Sequence, residues 1–372
     1  MSPLESCVYL SPCLCVSVVS QKMSHEKDAR RKRFRNVVIS VLAGGSIVWF
    51  LLSKIDPRDI PHAVSNIPLW SLLIAFLLYA TSVYLKAVRF KIILRTGISL
   101  RQLFPIVSLY MFFANVLPMR MGELSYVYLL KKQTRTPGAK GFASLIVGGI
   151  ADAAVILIAM FIVGCYLRDA LAEGMSHFLS ALGRESRLIG SWAYGLMIAI
   201  VLLVGGVIVF SISRLRKSGR SEIEKRESKI IYYVSITKAK VLEVGRELAD
   251  ISFDIRLLGI AACSILIITL RFATQWYLVR SMGIAIGIWE LSFALLFGVL
   301  FSLIPIHGPA GFGTVEAPWV ASLLILNVPR EDAIISGFGL HIIIIMYCII
   351  LGIFGFSISG SRFSVPEIAN QK

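Results

Sequence analysis

The chain has 372 residues, of which 56% are hydrophobic and 16% charged, with a mean hydropathy of +0.77. A water-soluble domain carries about 25% charged residues, so this composition excludes one and makes lipid the main solvent. The net charge of +16 does not point to nucleic acid, because the basic residues cluster at the ends of apolar runs, where topology and lipid headgroups place them.

Residues 1–36 read as a leader and a basic N-terminus. The leader, Met1 to Lys22, has an apolar stretch with no basic region before it, which argues against a signal peptide. Residues 1–22 are expected to be a disordered tail or an over-extended start, since Met23 opens a more ordinary beginning. Arg30, Arg31, Lys32, Arg33 and Arg35 then hold the N-terminus in the cytoplasm. Six apolar runs of membrane-spanning length follow: Val37–Ser53, Pro68–Val88, Phe142–Leu167, Trp192–Ser213, Leu257–Val279 and Ala333–Ile358. With no water at that depth, each must satisfy its own backbone, so all are predicted helices. Cys165, Cys263 and Cys348 lie inside these runs as packing residues, and no paired CxxC suggests zinc.

Two further apolar segments are interrupted. Arg95–Glu123 and Arg280–Glu316 each begin with Arg and a Gly-Ile pair, break at a proline (Pro118, Pro305) and end in Gly and Glu. If Gln102–Leu117 crossed fully, Lys131, Lys132, Arg135 and Lys140 would lie outside. The eleven Lys and Arg of loop 214–256 would lie outside with them, against the positive-inside rule. A segment that enters from the cytoplasm and turns back at Pro118–Gly122 keeps these charges inside. Its return arm, Leu124–Leu130, is too short for a core of roughly 30 Å. The second segment dips from outside, turns at Pro305–Gly313 and returns through Ala317–Val328.

The expected fold is therefore an all-α polytopic membrane protein with six full transmembrane helices and two re-entrant helical hairpins in an inverted-topology repeat. Residues 37–167 form the first membrane repeat and 168–190 an external loop. Residues 191–358 form the second repeat, which contains the cytoplasmic amphipathic loop 214–256, and 359–372 form a cytoplasmic tail. Both termini are expected inside, in the cell (plasma) membrane.

Ionisable residues within spans are functional candidates because burying them is costly. Asp152 lies near the middle of the third span and Arg271 near the middle of the fifth; they are expected to face a shared interior, as a pair or singly. Arg120, Gly122 and Glu123 mark the tip of the first hairpin, and His307, Gly311, Gly313 and Glu316 that of the second. Broken helices expose backbone N–H groups that favour anions, and Arg120 adds a phosphate-matching fork. Lys86 and Arg89, three apart on one face, are candidate phosphate contacts or topology anchors. His341 is read as a hydrogen-bonded buried histidine. No G-x-x-x-x-G-K-[ST], HExxH or GxSxG motif is present, and no catalytic residue, metal or cofactor is assigned.

NVLPMRMGELSYVYLL (Asn115–Leu130) and IPIHGPAGFGTVEA (Ile304–Ala317) resemble, in order, the two signatures of the lysylphosphatidylglycerol synthase transmembrane region, the flippase-like domain family. Arg89, Gly97 and Asp152 match further positions of that family. Gly148 and Gly149 depart from it, since many members carry a polar pair there. The soluble aminoacyl-transferase domain of some members is expected to be absent. The resemblance implies lipid translocation or handling, not lysine transfer. The expected function is a lipid translocase, not an enzyme, that moves or binds an anionic or glycosylated lipid. The alternatives are a secondary transporter of a small polar solute and a non-catalytic membrane subunit of a lipid glycosyltransferase system. A membrane lipid is the expected partner, with a lipid-modifying enzyme as a candidate protein partner and no nucleic acid.

Overall fold

A computed structural model describes residues 45–56, 58–117, 121–181, 255–301 and 309–360. Helices account for the ordered structure, with no strand among the described residues. In chain order they are α1 (Asp59–Ser65), α2 (Leu69–Leu94), α3 (Leu100–Val116), α4 (Met121–Thr134), α5 (Gly138–Tyr166), α6 (Arg168–Ala181), α7 (Ile255–Ser281), α8 (Ile288–Phe301), α9 (Glu316–Ile325) and α10 (Arg330–Gly360). A single 3-10 turn, Pro309–Gly311, precedes α9.

Four helices, α2, α5, α7 and α10, are long and apolar enough to cross a membrane. They match the second, third, fifth and sixth expected spans. Of the first span, residues 45–52 are helical. The fourth span, Trp192–Ser213, lies outside the described residues, as do Arg120, His307, the N-terminal basic run and nearly all of loop 214–256. The expected external loop 168–190 opens with a helix, α6, and the connection before α2 contains α1. Large apolar side chains point outward from the long helices, among them Leu73 and Leu77 on α2, Ile158 and Ile162 on α5, and Ile353 and Phe356 on α10. Their helical spacing makes the lipid-facing stripe.

The two interrupted segments form pairs of short helices. At about 1.5 Å per residue, the 17 residues of α3 and the 14 of α4 reach about 26 and 21 Å. α8 and α9, with 14 and 10 residues, are shorter still. None matches a core of about 30 Å. α3 stops at Leu117, whose ψ of 134° is extended, as expected of a residue followed by proline. α4 packs back on α3 so tightly that a Cβ at Gly122 would overlap the Ala114 backbone. α9 likewise packs on α8.

The halves share one packing plan. α2 lies along α7 at the centre. The first short helix of each half also packs on the last long helix of the other: α3 on α10, and α8 on α5. Each pair is entered through the repeated Gly-Ile step, and both isoleucines, Ile98 and Ile284, are buried. The left-handed residue that ends the preceding long helix is Arg95 in one half (φ 51°) and Gly283 in the other (φ 79°). At the next helix start, the Gln102 Oε1 accepts the Ser99 N–H at 3.4 Å. In the second half the Glu290 carboxylate folds over Gly287 at the same helix position.

Candidate functional site

The return helix of each pair is fixed by one aromatic residue three positions after its acid. In α4, Tyr126 follows Glu123, packs with its ring 4.7 Å from that of Phe90 and 5.6 Å from that of Tyr110, and shares a 3.2 Å hydrogen bond with Ser144 of α5. In α9, Trp319 follows Glu316, and its indole N–H donates to Ser336 of α10 at 3.1 Å. Ser144 and Ser336 are each the seventh residue of their helix. Each anchor ties the return helix to the long helix that follows it in its own half.

That interior holds a cavity of about 420 Å³. All four long helices and both short pairs contribute to its wall. The charged or titratable lining groups are Lys86, Glu123, Asp152, Arg271 and His341, and Gly311 lies beside them. Five expected site residues therefore meet at one place: Lys86, Glu123, Asp152, Arg271 and Gly311. Gly122, Gly313, Glu316 and Arg89 are not in the lining.

Asp152 does face this shared interior, but its ion-pair partner is Arg89, not Arg271. The Arg89 guanidinium binds the carboxylate with both terminal nitrogens, Nη1 to Oδ1 and Nη2 to Oδ2, the latter at 3.1 Å. Nη1 also donates to Ser264 Oγ at 2.7 Å, tying α2 and α5 to α7. Arg89, a candidate phosphate contact or topology anchor by its position three residues after Lys86, is 1% exposed and stands behind Asp152. Gly148 makes the room: a Cβ there would sit 3.1 Å from Arg89 Nη2. A planar fork held by a carboxylate and a hydroxyl is a fixed charge, since the guanidinium stays protonated.

Lys86 and Arg271 are differently placed. Lys86 Nζ donates to Met111 Sδ at 3.6 Å and lies 5.2 Å from the Tyr110 ring centre. Arg271 makes no hydrogen bond among the described residues, and neither cation has a carboxylate within salt-bridge distance among them. Beside Arg271, the Gln275 Oε1 is buried without a hydrogen-bond partner. The lining thus offers two cations and an acceptor, with Asp152 already neutralised by its own arginine.

Glu316 is fully buried in the wall. Its Oε2 accepts the Gly313 N–H at 2.7 Å, and its Oε1 lies 2.6 Å from His341 Nδ1. Gly311 and Gly313 both take φ of 79°, a conformation side chains disfavour, and so shape the turn that passes under the imidazole. His341 was legible only as a buried hydrogen-bonded histidine. Its partner is 25 residues away on another helix, a distance that no helical periodicity reports.

No curated protein matches the chain. Residues 37–352 match the family model described as the lysylphosphatidylglycerol synthase TM region. With four apolar helices of spanning length and a family match over most of its length, the chain is an integral membrane protein that belongs to the lysylphosphatidylglycerol synthase TM region family.

Proposed function

We propose that the protein is a lipid translocase that takes an anionic or glycosylated headgroup into the cavity while the acyl chains stay in the bilayer. The observation that carries this reading is the pair of cations, Lys86 and Arg271, on the wall of a cavity among apolar spans, with no carboxylate in salt-bridge reach among the described residues. Ionised groups at such depth are costly, and an incoming phosphate or carboxylate offsets that cost. Gln275 Oε1 supplies an acceptor for a headgroup hydroxyl or ammonium. In this reading the two short-helix pairs are re-entrant hairpins that dip from opposite faces, so the repeat is inverted and alternating access is a rocking of one half against the other. Both termini then face the cytoplasm of a plasma-membrane protein.

The test is leaflet exchange in reconstituted vesicles with fluorescent phosphatidylglycerol, phosphatidylcholine and a glycolipid. Exchange should exceed that of protein-free vesicles and favour the anionic lipid or the glycolipid over phosphatidylcholine. The Lys86→Gln, Arg271→Gln double variant should lower phosphatidylglycerol exchange by about tenfold or more, the loss of at least one charge-assisted contact. Rates equal with and without protein, for every headgroup, overturn the reading. The hairpins have their own test: Lys131→Cys should react with an impermeant thiol reagent from the cytoplasmic side alone.

A further inference from the structure

We propose that the buried Glu316–His341 pair is a proton site, and that one proton crosses with each anionic headgroup. This names the driving force for the translocation proposed above and rests on that reading.

The geometry separates this pair from the other buried ion pair. Arg89 cannot release its proton, so Arg89–Asp152 holds one charge state. An imidazole beside a carboxylate has two. His341 is the twelfth residue of the 31-residue helix α10, about 17 Å along it, well inside the span. Its Nδ1 faces Glu316 Oε1 at 2.6 Å, and the carboxylate's other oxygen is held by the Gly313 N–H. The second ring nitrogen, Nε2, has no hydrogen-bond partner among the described residues. That edge of the ring lies over Gly311, where a Cβ would be 3.6 Å from both Cε1 and Nε2. His341 and Gly311 both line the cavity, so Nε2 is at its wall. The Phe312 ring packs 4.8 Å from the imidazole.

The step balances simply. A proton from cavity water bonds to Nε2 of neutral His341. Nδ1–H remains donated to Glu316, and the pair passes from a net charge of −1 to zero. Release from Nε2 reverses it. A buried, uncompensated carboxylate is costly, and a headgroup anion in the same cavity makes it costlier, so headgroup and proton favour each other's binding, reciprocally. The surrounding charges set this balance. Lys86 from α2 and Arg271 from α7 line the same cavity, and an anion that engages them there adds its negative charge to the cavity that the pair's imidazole lines. Glu123 of α4 and the Arg89-held Asp152 of α5 complete the lining charges, while α3 contributes Ala114 and Asn115, which do not titrate. The Asp59 and His62 of α1, which also packs on α10, are exposed at the surface.

The experiment uses the full chain in vesicles with fluorescent phosphatidylglycerol and an imposed pH gradient. One proton per singly charged lipid is electroneutral. The lipid distribution should therefore follow the gradient by about tenfold per pH unit and ignore a valinomycin-clamped potential. His341→Gln and Glu316→Gln should bring the ratio of exchange with and without the gradient to one. A direct readout accompanies it: the His341 imidazole ¹⁵N resonance, assigned by its loss in His341→Gln, should move toward the protonated form on addition of short-chain phosphatidylglycerol. Exchange that ignores the gradient, with a resonance that ignores the lipid, overturns the proton site and leaves translocation standing. A resonance that responds while no lipid exchanges removes translocation and keeps the proton site. A lipid-insensitive resonance overturns the proton site whatever the exchange.

Discussion

The first half of the molecule buries Arg89 against Asp152, and the second buries Glu316 against His341. These pairs do not occupy matching positions. Gln275 lies eight residues before Gly283, as Arg89 lies eight before Gly97, and Ile344 is the fifteenth residue of α10, as Asp152 is of α5. The second half thus carries Gln and Ile where the first carries its ion pair. Conversely Glu123 matches Glu316, but the residue matching His341 is Gly149, the twelfth of α5. One frame has been kept in both halves, down to the Tyr126–Ser144 and Trp319–Ser336 anchors, while the charges have been dealt to opposite sides. The first half received the pair that cannot change charge and ties three long helices together. The second received the pair that can, and hung it on a glycine turn.

The largest effect should come from breaking the fixed pair on its exposed side. Asp152→Asn leaves Arg89, 1% exposed, with Ser264 as its remaining strong partner. Removing one member of a buried pair costs about 3–5 kcal/mol, so thermal unfolding in detergent should fall steeply. Arg89→Met should cost less, because Asp152 keeps 26% exposure toward the cavity and can be hydrated there. The double variant should recover part of the loss. Equal melting temperatures for Asp152→Asn and the unaltered protein would mean that this pair does not hold the first half.

Glu316→Ala comes next. It strands the Gly313 N–H and the His341 Nδ1, both in buried contacts, at about 1–3 kcal/mol for a buried group left unsatisfied. Glu316→Gln retains one acceptor oxygen and should lose roughly half as much. Equal melting temperatures for Glu316→Ala and Glu316→Gln would mean that the carboxylate's two contacts do not hold the second half.

The four long helices and the two interrupted segments were legible because each rests on local signals: run length, a Gly-Ile step, a proline. The same is true of Asp152 and Arg271, conspicuous because ionised groups are rare at that depth. The pairing was not legible, because it crosses between elements. Arg89 sits near Lys86, Lys91 and Arg95 in sequence and so resembles a headgroup anchor. Its burial depends on small residues supplied elsewhere, Ser264 on α7 and Gly148 on α5. The Gly148-Gly149 pair inside an apolar span was the available signal, since a missing side chain leaves a hole that something large must fill. His341 gave no signal beyond its own depth. Arg120 and His307, the remaining expected tip residues, fall outside the described residues.

The smallest effects test that hole directly, with two neighbouring glycines. In a helix interior, Gly→Ala gains about 1 kcal/mol from backbone entropy. At Gly149 an added Cβ meets nothing within 4 Å, so Gly149→Ala should show that gain as a modest rise in melting temperature. At Gly148 the same methyl lands 3.1 Å from Arg89 Nη2, and the guanidinium cannot retreat without leaving Asp152 or Ser264. Overpacking of this kind costs about 1–3 kcal/mol, which outweighs the entropy gain, so Gly148→Ala should melt lower than the unaltered protein. The two substitutions are chemically identical and adjacent, which removes propensity and composition as explanations of any difference. If both melt higher, Arg89 has slack, and the first half's pair is as adjustable as the second's.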